Sequence, residues 1–348
     1  MQNITLIDIE SAGAGLRGIQ NNRVHLKDIS FINFKYSATS SFNPLLIINI
    51  PSSIVIVENL RCENSSIDIL PFLQLTSNAQ SVEIKNGFYR NITFGDHINL
   101  IKMSEISNFT ISNQTLEGIL IPNIDDPSNA FLEVNLLDLT SSTITLVEDV
   151  SISNSQIALM NIRNIQNTDT KVKNFILKRV SIKDVFISFP RTLISTAGFE
   201  SQGKINLIFD ALTISGIEFR TIGKIFNFKH YLEDSVLISN GIFENIISGS
   251  LEMEIKSIKN LNFINKATFQ NCTFTKIYNP QRSFITFSAN ALLEVKSSTF
   301  TNITSTNDNS GIISLQSNSI ALFTEINFHN NSAIVASIFS VQSESQLT

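Results

Sequence analysis

One phrase recurs along this chain at nearly constant spacing: an alternating apolar strand, an apolar anchor, polar turn residues and another short strand. Taking the anchor as the last apolar residue of the first strand gives Phe31, Leu60, Phe88, Leu116, Ile152, Ile182, Ile214, Phe243, Phe269, Phe300 and Phe328. Neighbouring anchors are 26 to 36 residues apart in the chain. A fixed period in this range is the mark of a solenoid or array, in which each unit buries its apolar face only against its neighbours.

Inside each unit the side chains alternate with period two rather than 3.6. Ala291-Leu292-Leu293-Glu294-Val295-Lys296 leads into Ser298-Thr299-Phe300-Thr301-Asn302-Ile303-Thr304, and Gly311-Ile312-Ile313-Ser314-Leu315 follows a polar turn. Ile, Val, Phe and Thr suit a pleated surface. With 53 Ile, 39 Asn, 44 Ser and 25 Thr in 348 residues, strong helix formers are outnumbered throughout. Three short strands joined by Asn/Ser/Gly corners make one turn of a parallel β-helix. A propeller blade needs about 40 to 45 residues and four antiparallel strands, and leucine-rich repeats need Leu at fixed offsets. The expectation is an all-β, right-handed parallel β-helix of about 11 turns, one solenoid over 1–348. Stacked at about 4.8 Å per turn, it would form a rod of about 50 Å. The long gap around Pro122-Asn123-Ile124-Asp125-Asp126-Pro127 reads as a loop near 117–130. The chain starts and stops in strand-like text without a capping helix. Flanking turns of a longer chain, or other copies end to end, are therefore the expected partners.

Two places after the anchor stand Asn33, Asn154, Asn245, Asn271, Asn302 and Asn330, with Asp184, Gly118 and Gly216 in three other units. These residue types tolerate left-handed backbone at modest cost, so the position reads as a structural corner. The chain also holds eight sequons, at Asn3, Asn64, Asn91, Asn108, Asn113, Asn271, Asn302 and Asn330. Chance pairing of 39 Asn with a Ser+Thr share of 69 in 348 gives about 7.7, so the sequons carry no argument for secretion. They remain candidate glycosylation sites.

Catalytic and binding chemistry is sparse. The formal net charge of −5, with no long basic run, excludes a nucleic-acid footprint. No apolar stretch is long enough for a membrane-spanning helix, and no basic n-region with an apolar block marks a signal peptide. Asn167-Thr168-Asp169 matches one aspartate motif of polygalacturonase-type glycosidases. However, the single Asp-Asp pair, Asp125-Asp126, lies upstream of it, and no Gly-His or Arg-x-Lys occurs. The remaining acidic pairs, Glu148-Asp149 and Glu233-Asp234, read as solvated corners. His25, His97, His230 and His329 fall in separate units without metal-ligand spacing. Without Trp, and with Tyr36, Tyr89, Tyr231 and Tyr278 read as scattered exposed residues, a sugar platform is not indicated. Cys62 and Cys272, seven units apart, would lie about 34 Å apart on the stacking distance, beyond disulfide reach. They are expected as two free, buried thiols.

Phe243-Glu244-Asn245-Ile246, Phe269-Gln270-Asn271-Cys272-Thr273, Phe300-Thr301-Asn302-Ile303-Thr304 and Phe328-His329-Asn330-Asn331-Ser332 resemble the pectin-lyase-like β-helix repeats of very large ciliate surface proteins. The resemblance implies a long extracellular repeat region, and hence an extracellular or cell-surface location. Bacterial polymorphic outer-membrane proteins are less similar, because this chain carries Phe-x-Asn rather than Phe-x-x-Asn. The expected function is a non-catalytic structural segment, a stiff spacer or filament subunit, with no cofactor. The alternative is an adhesin or glycan-binding module that uses a lateral face or the projecting loop to meet surface glycans or proteins. A polysaccharide lyase or hydrolase is the remote third.

Overall fold

The structure is a computed structural model that describes residues 2–7, 10–11, 16–17, 23–36, 46–49, 54–69, 73–76, 80–96, 99–104, 106–120, 135–140, 144–163, 173–187, 192–197, 205–231, 235–256, 265–288, 291–306, 311–316, 319–334, 338–342 and 345–348. Every regular element among them is a β-strand. The chain divides into two compact units, Met1–Arg163 and Asn164–Thr348.

Both units are parallel β-solenoids. In the first, Gln2–Ile7, Arg23–Ile32, Ile54–Ile69, Ser81–Asp96, Asn108–Leu120 and Ile144–Ser155 stack as one parallel ladder. A second ladder runs Leu16–Arg17, Leu46–Asn49, Leu73–Thr76, Asn99–Ser104, Asn135–Thr140 and Ala158–Arg163. In the second unit, Ser181–Ile187, Thr213–Tyr231, Ile242–Lys256, Thr273–Asn279, Thr299–Ser305 and Asn327–His329 form the corresponding anchor ladder. Beside it Lys173–Lys178, Ile205–Asp210, Ser235–Ser239, Asn265–Gln270, Ala291–Lys296, Ile320–Thr324 and Gln346–Leu347 run as seven parallel strands.

The parallel solenoid class is as expected, but the count of eleven turns is not. The anchors start at Phe31 and stop at Phe328, so they miss the turn opened by Gln2–Ile7 and the strand Gln346–Leu347. Residues 117–120 of the expected loop belong to the strand Asn108–Leu120, and Pro122–Pro127 lie outside the described residues.

The core is built as columns of stacked inward side chains. In the first unit the anchor column is Phe31, Cys62, Tyr89, Leu116 and Ile152. Each is at most 2% exposed. In the second it is Ile182, Ile214, Phe243, Phe274, Phe300 and Phe328. Ring centroids lie 5.0 Å apart for Phe243–Phe274, 4.6 Å for Phe274–Phe300 and 4.9 Å for Phe300–Phe328, with planes within 17° to 19°. That separation is close to the strand spacing of about 4.8 Å, so the ladder itself sets the rings at stacking distance.

Three anchors read from the sequence are out of register. Leu60 pairs with Ile29, two residues ahead of Cys62. Phe269 belongs to the preceding strand, between Ile238 and Val295. Phe88 points outward, where the Arg61 guanidinium lies 5.8 Å from its ring, and Tyr89 takes the inward place. Tyr89, expected as an exposed contact residue, is therefore fully buried. A slip of one residue exchanges the two faces of a strand, and the composition of Phe88-Tyr89 does not say which aromatic goes inside.

A cavity in the phenylalanine column removes stacked contacts on both sides. Phe274→Ala is expected to cost about 3–5 kcal/mol, measured by urea denaturation, whereas Thr275→Ala on the outward face should change stability by less than about 0.5 kcal/mol.

Candidate functional site

Among the described residues, the polar feature that recurs from turn to turn between Asp28 and Asn330 is a pair of corners. One set of left-handed residues comprises Asn33, Asn64, Asn91, Gly118 and Asn154 in the first unit and Asp184, Gly216, Asn245, Lys276, Asn302 and Asn330 in the second, with φ between +46° and +66°. Five residues ahead of each stands another: Asp28, Asn59, Asn86, Asn113, Asp149, then Arg179, Ala211, Asn240, Asn271, Ser297 and Glu325, with φ between +46° and +57°. The sequence reading locates Asn33, Asn154, Asn245, Asn302 and Asn330 in the first set. It misplaces Asn271, which belongs to the second, and it misses Asn64, Asn91 and the second set altogether. The overlooked signal is a spacing, Asn or Asp followed five residues later by Asn, Asp or Gly. Misregistered anchors hid it.

Corner backbone groups are satisfied from turn to turn. In the second unit the N–H groups of Arg179, Ala211, Asn240, Asn271 and Ser297 donate to the carbonyls of Asp210, Ser239, Gln270, Lys296 and Thr324 at 2.9 to 3.1 Å. Each left-handed kink thus keeps its amide in the axial hydrogen-bond system, which a buried or half-buried backbone requires.

Side-chain amides stack along the same edge. Asn59 Nδ2 donates to Asp28 Oδ1 at 2.5 Å, Asn86 to Asn59 at 3.1 Å and Asn113 to Asn86 at 3.2 Å. In the second unit Asn240 donates to Asp210 at 2.9 Å and Asn271 to Asn240 at 3.5 Å. Asn91 donates to Asn64 at 3.1 Å in the other set. An amide carries both a donor and an acceptor, so it can continue such a chain in both directions where a carboxylate can only end it. The hydrogen bonds from Asn240 and Ser239 hold the Asp210 carboxyl below its ordinary value.

Buried serines complete the corners. Ser65, Ser155 and Ser298 each donate to the carbonyl two residues back, at 2.6 to 2.7 Å. The same hydroxyls accept from the N–H of Phe34, Ile119 and Cys272, each at 3.1 Å. Cys272 repeats the serine arrangement, because its Sγ lies 3.4 Å from the Gln270 carbonyl, again two residues back. Cys62 instead fills a core column between Phe31 and Tyr89. Both thiols are free and buried. Burial pushes Cys62 up to about 12 and Cys272 up to about 11.

The sequon asparagines are dispersed along these edges. Asn64, Asn91, Asn113, Asn271, Asn302 and Asn330 all occupy left-handed corners, Asn108 opens its strand in an exposed position, and Asn3 lies in Gln2–Ile7. In Asn91, Asn113 and Asn271, the Nδ2 atom to which a glycan would attach is engaged in the amide columns.

Among the described residues, the charged side chains singled out from the sequence are not gathered into one place. His25 meets Glu58 at 3.2 Å, His329 is exposed, and Glu148 and Asp149 lie at a corner. Asp125-Asp126, Asn167-Thr168-Asp169, Glu233-Asp234, His97 and the side chain of His230 fall outside the described residues. Among the described residues, no three His, Cys, Asp or Glu side chains converge as a metal site, and no helix is long and apolar enough to cross a membrane. The tightest charge clusters are lateral ion pairs. Glu294 lies between Lys266 at 2.8 Å and Lys296 at 2.9 Å, and hydrogen bonds from both lysines lower its carboxyl. Glu252 meets Lys224 at 2.5 Å and also pairs with Arg282.

This geometry defines a parallel β-solenoid whose polar corners are internally hydrogen-bonded. No protein-family model matches the chain, and no curated protein matches it. Among solved structures it is similar to that of PfbA, a surface adhesin of Streptococcus pneumoniae, with a TM-score of 0.42 and 12% identity over 91% of this chain and 85% of that one. A likeness at this level carries no functional argument.

Two outcomes follow from the corners. Ala211 holds a left-handed φ of +55° with a Cβ, so Ala211→Gly is expected to stabilise the fold by about 1 kcal/mol, read as a raised melting temperature. Because the thiols titrate higher when folded, the stability they confer is fully present below about pH 9, their ordinary value, and is lost as pH rises through about 11 to 12. Urea midpoints from pH 8 to 11 should fall accordingly, and iodoacetamide at pH 8 should label both cysteines only after unfolding.

Proposed function

We propose that this chain is a non-catalytic structural segment of an extracellular or cell-surface protein, serving as a stiff spacer or filament subunit. The observation that carries this reading is where the polar chemistry goes. Corner amides and corner N–H groups hydrogen-bond to their neighbours one turn away. Each buried corner serine donates to a carbonyl of its own turn while accepting from an N–H of the turn before. Inward positions, meanwhile, are filled by stacked Ile, Leu, Val and Phe. Hydrogen bonds and apolar contacts repeated along one axis resist bending and stretching. They also leave few groups converging on any one point of the lateral surface, where a substrate would need several. The repeating turn supplies its own docking surface at each step, so further turns or other copies of the chain are the natural partners.

Electron microscopy of the native material tests the reading. Filaments or a continuous layer in which solenoid units follow one another end to end are the expected result. Discrete particles that bind defined glycans on an array, with binding abolished by deleting the segment from Pro122 to Pro127, would replace it with an adhesin. Release of oligosaccharides from a polyuronate by the purified chain would replace it with an enzyme.

A further inference from the structure

The chain contains two Asn-Gly dipeptides, Asn86-Gly87 and Asn240-Gly241, and both fall at the same corner of their turns, five residues ahead of Asn91 and Asn245. We propose that Asn86 and Asn240 are the deamidation sites of this protein and that the amide columns set how fast each reacts.

Two separate constraints place this reactive pair here. The first residue must adopt a left-handed conformation, with φ of +55° at both positions, and asparagine does so at modest cost. The second must be glycine for packing. A Cβ on Gly87 would lie 1.8 Å from Gln114 Oε1 and 2.8 Å from the Tyr89 ring. One on Gly241 would lie 2.9 Å from the Phe243 ring and 3.3 Å from Cys272 Sγ. Replacing either glycine therefore requires buried neighbouring side chains to shift, and with glycine in place no side chain shields the attacking nitrogen.

The chemistry is intramolecular. The Gly87 backbone nitrogen, on losing its proton, attacks Cγ of Asn86. A bond forms between that nitrogen and Cγ, the Cγ–Nδ2 bond breaks, and Nδ2 leaves as ammonia. Water then opens the resulting succinimide at either carbonyl, giving aspartate or isoaspartate. Both asparagines are exposed, so water is at hand for the second step.

The native columns oppose the first step. Asn86 is held from both sides, donating to Asn59 Oδ1 at 3.1 Å and accepting from Asn113 Nδ2 at 3.2 Å. Asn240 donates to Asp210 at 2.9 Å, but its acceptor contact with Asn271 is longer, at 3.5 Å. Swinging Cγ onto the following nitrogen breaks these bonds and moves the backbone out of its left-handed well. Asn240, with one loose neighbour, reacts sooner than Asn86. The product matters to the fold: aspartate has no donor to return to Asn59, and isoaspartate adds a backbone atom to a ladder whose faces alternate residue by residue.

Peptide mass spectrometry of the intact chain, incubated at mildly alkaline pH with and without urea, provides the test. In the folded protein both sites should deamidate at least about tenfold more slowly than in urea, and Asn240 before Asn86. Each hydrogen bond at its typical net worth slows the step about fivefold, so two together exceed that factor. Asn113→Ala should raise the folded rate at Asn86 about fivefold, the factor for one lost hydrogen bond, while Asn240 keeps its rate as an internal control. If Asn113→Ala opens the whole fold, both sites accelerate together, and Asn271→Ala, which releases Asn240 alone, decides instead. Equal rates in folded and unfolded chain, or a rate at the released site unmoved by both variants, would overturn the proposal.

Discussion

The pair of left-handed residues five apart is the constraint on which the rest of this structure depends. A β-strand alternates its faces residue by residue, so a long extended chain has no reason to curl around a core. Two kinks per turn solve this by redirecting the chain twice, with a four-residue segment between them. In that segment the first and third side chains face inward and the second and fourth face outward, as in Cys272, Thr273, Phe274 and Thr275. Once one kink is placed, the register of every neighbouring strand follows, because the corner N–H groups must find carbonyls in the next turn. Ala211, Arg179 and Glu325 adopt the same conformation without a favourable side chain, so the backbone pattern is imposed by the stack and not by each residue separately.

Hydrogen bonding and packing then divide the work by position. Corners carry amide columns and serine bridges, and inward columns carry apolar side chains. The outward faces carry ion pairs whose signs alternate along the axis. Lys27, Glu58 and Lys85 occupy one outward column and Glu63, Arg90 and Glu117 another. Their distances, such as 3.9 Å for Lys27–Glu58 and 3.3 Å for Arg90–Glu117, belong to exposed pairs that contribute little individually. Their value lies more in discouraging lateral slippage, since a shift by one turn would set like charges opposite one another.

Much of this was legible from the chain text, and the limits have physical causes. The period, the strand type, the burial of both thiols and one corner set follow from local patterns that recur in nearly every turn. The anchors failed where local pattern is ambiguous. Phe88-Tyr89 offers two aromatics in sequence, and Phe269 and Phe274 are two inward phenylalanines of one turn, five residues apart on either side of a corner. Only stacking against Cys62 and Leu116, or against Phe243 and Phe300, decides between them. The second corner set was hidden for a related reason. Its occupants run from Asn and Asp to Arg, Ala, Ser and Glu, so composition alone does not mark it, whereas a count of five from the first set does.

The departures from regularity show how strictly the stack is enforced. Between Thr213–Tyr231 and Ile242–Lys256 the register shifts twice, at Glu218/Gly223 and Lys224/Phe226, and Ser248 adds a further left-handed residue. Gly223 and Gly249 lie against the Phe219 ring, where a Cβ would stand 1.8 Å and 2.8 Å from it. The ring is thus fully buried inside a corner that closes only on glycine. One turn later Asn279, itself buried, replaces the missing ladder bonds. Its Nδ2 donates to the carbonyls of Gly249 at 3.3 Å and Ser283 at 3.4 Å, and its Oδ1 accepts from the N–H groups of Gln281 and Arg282. Arg282 in turn reaches Glu252, which Lys224 also holds. A concentration of polar side chains that would suggest a binding site elsewhere is here drawn largely into hydrogen bonds and ion pairs with its own neighbours. The extra residues that the two register shifts insert into one turn leave backbone groups without ladder partners, and Asn279 supplies some of them in the following turns.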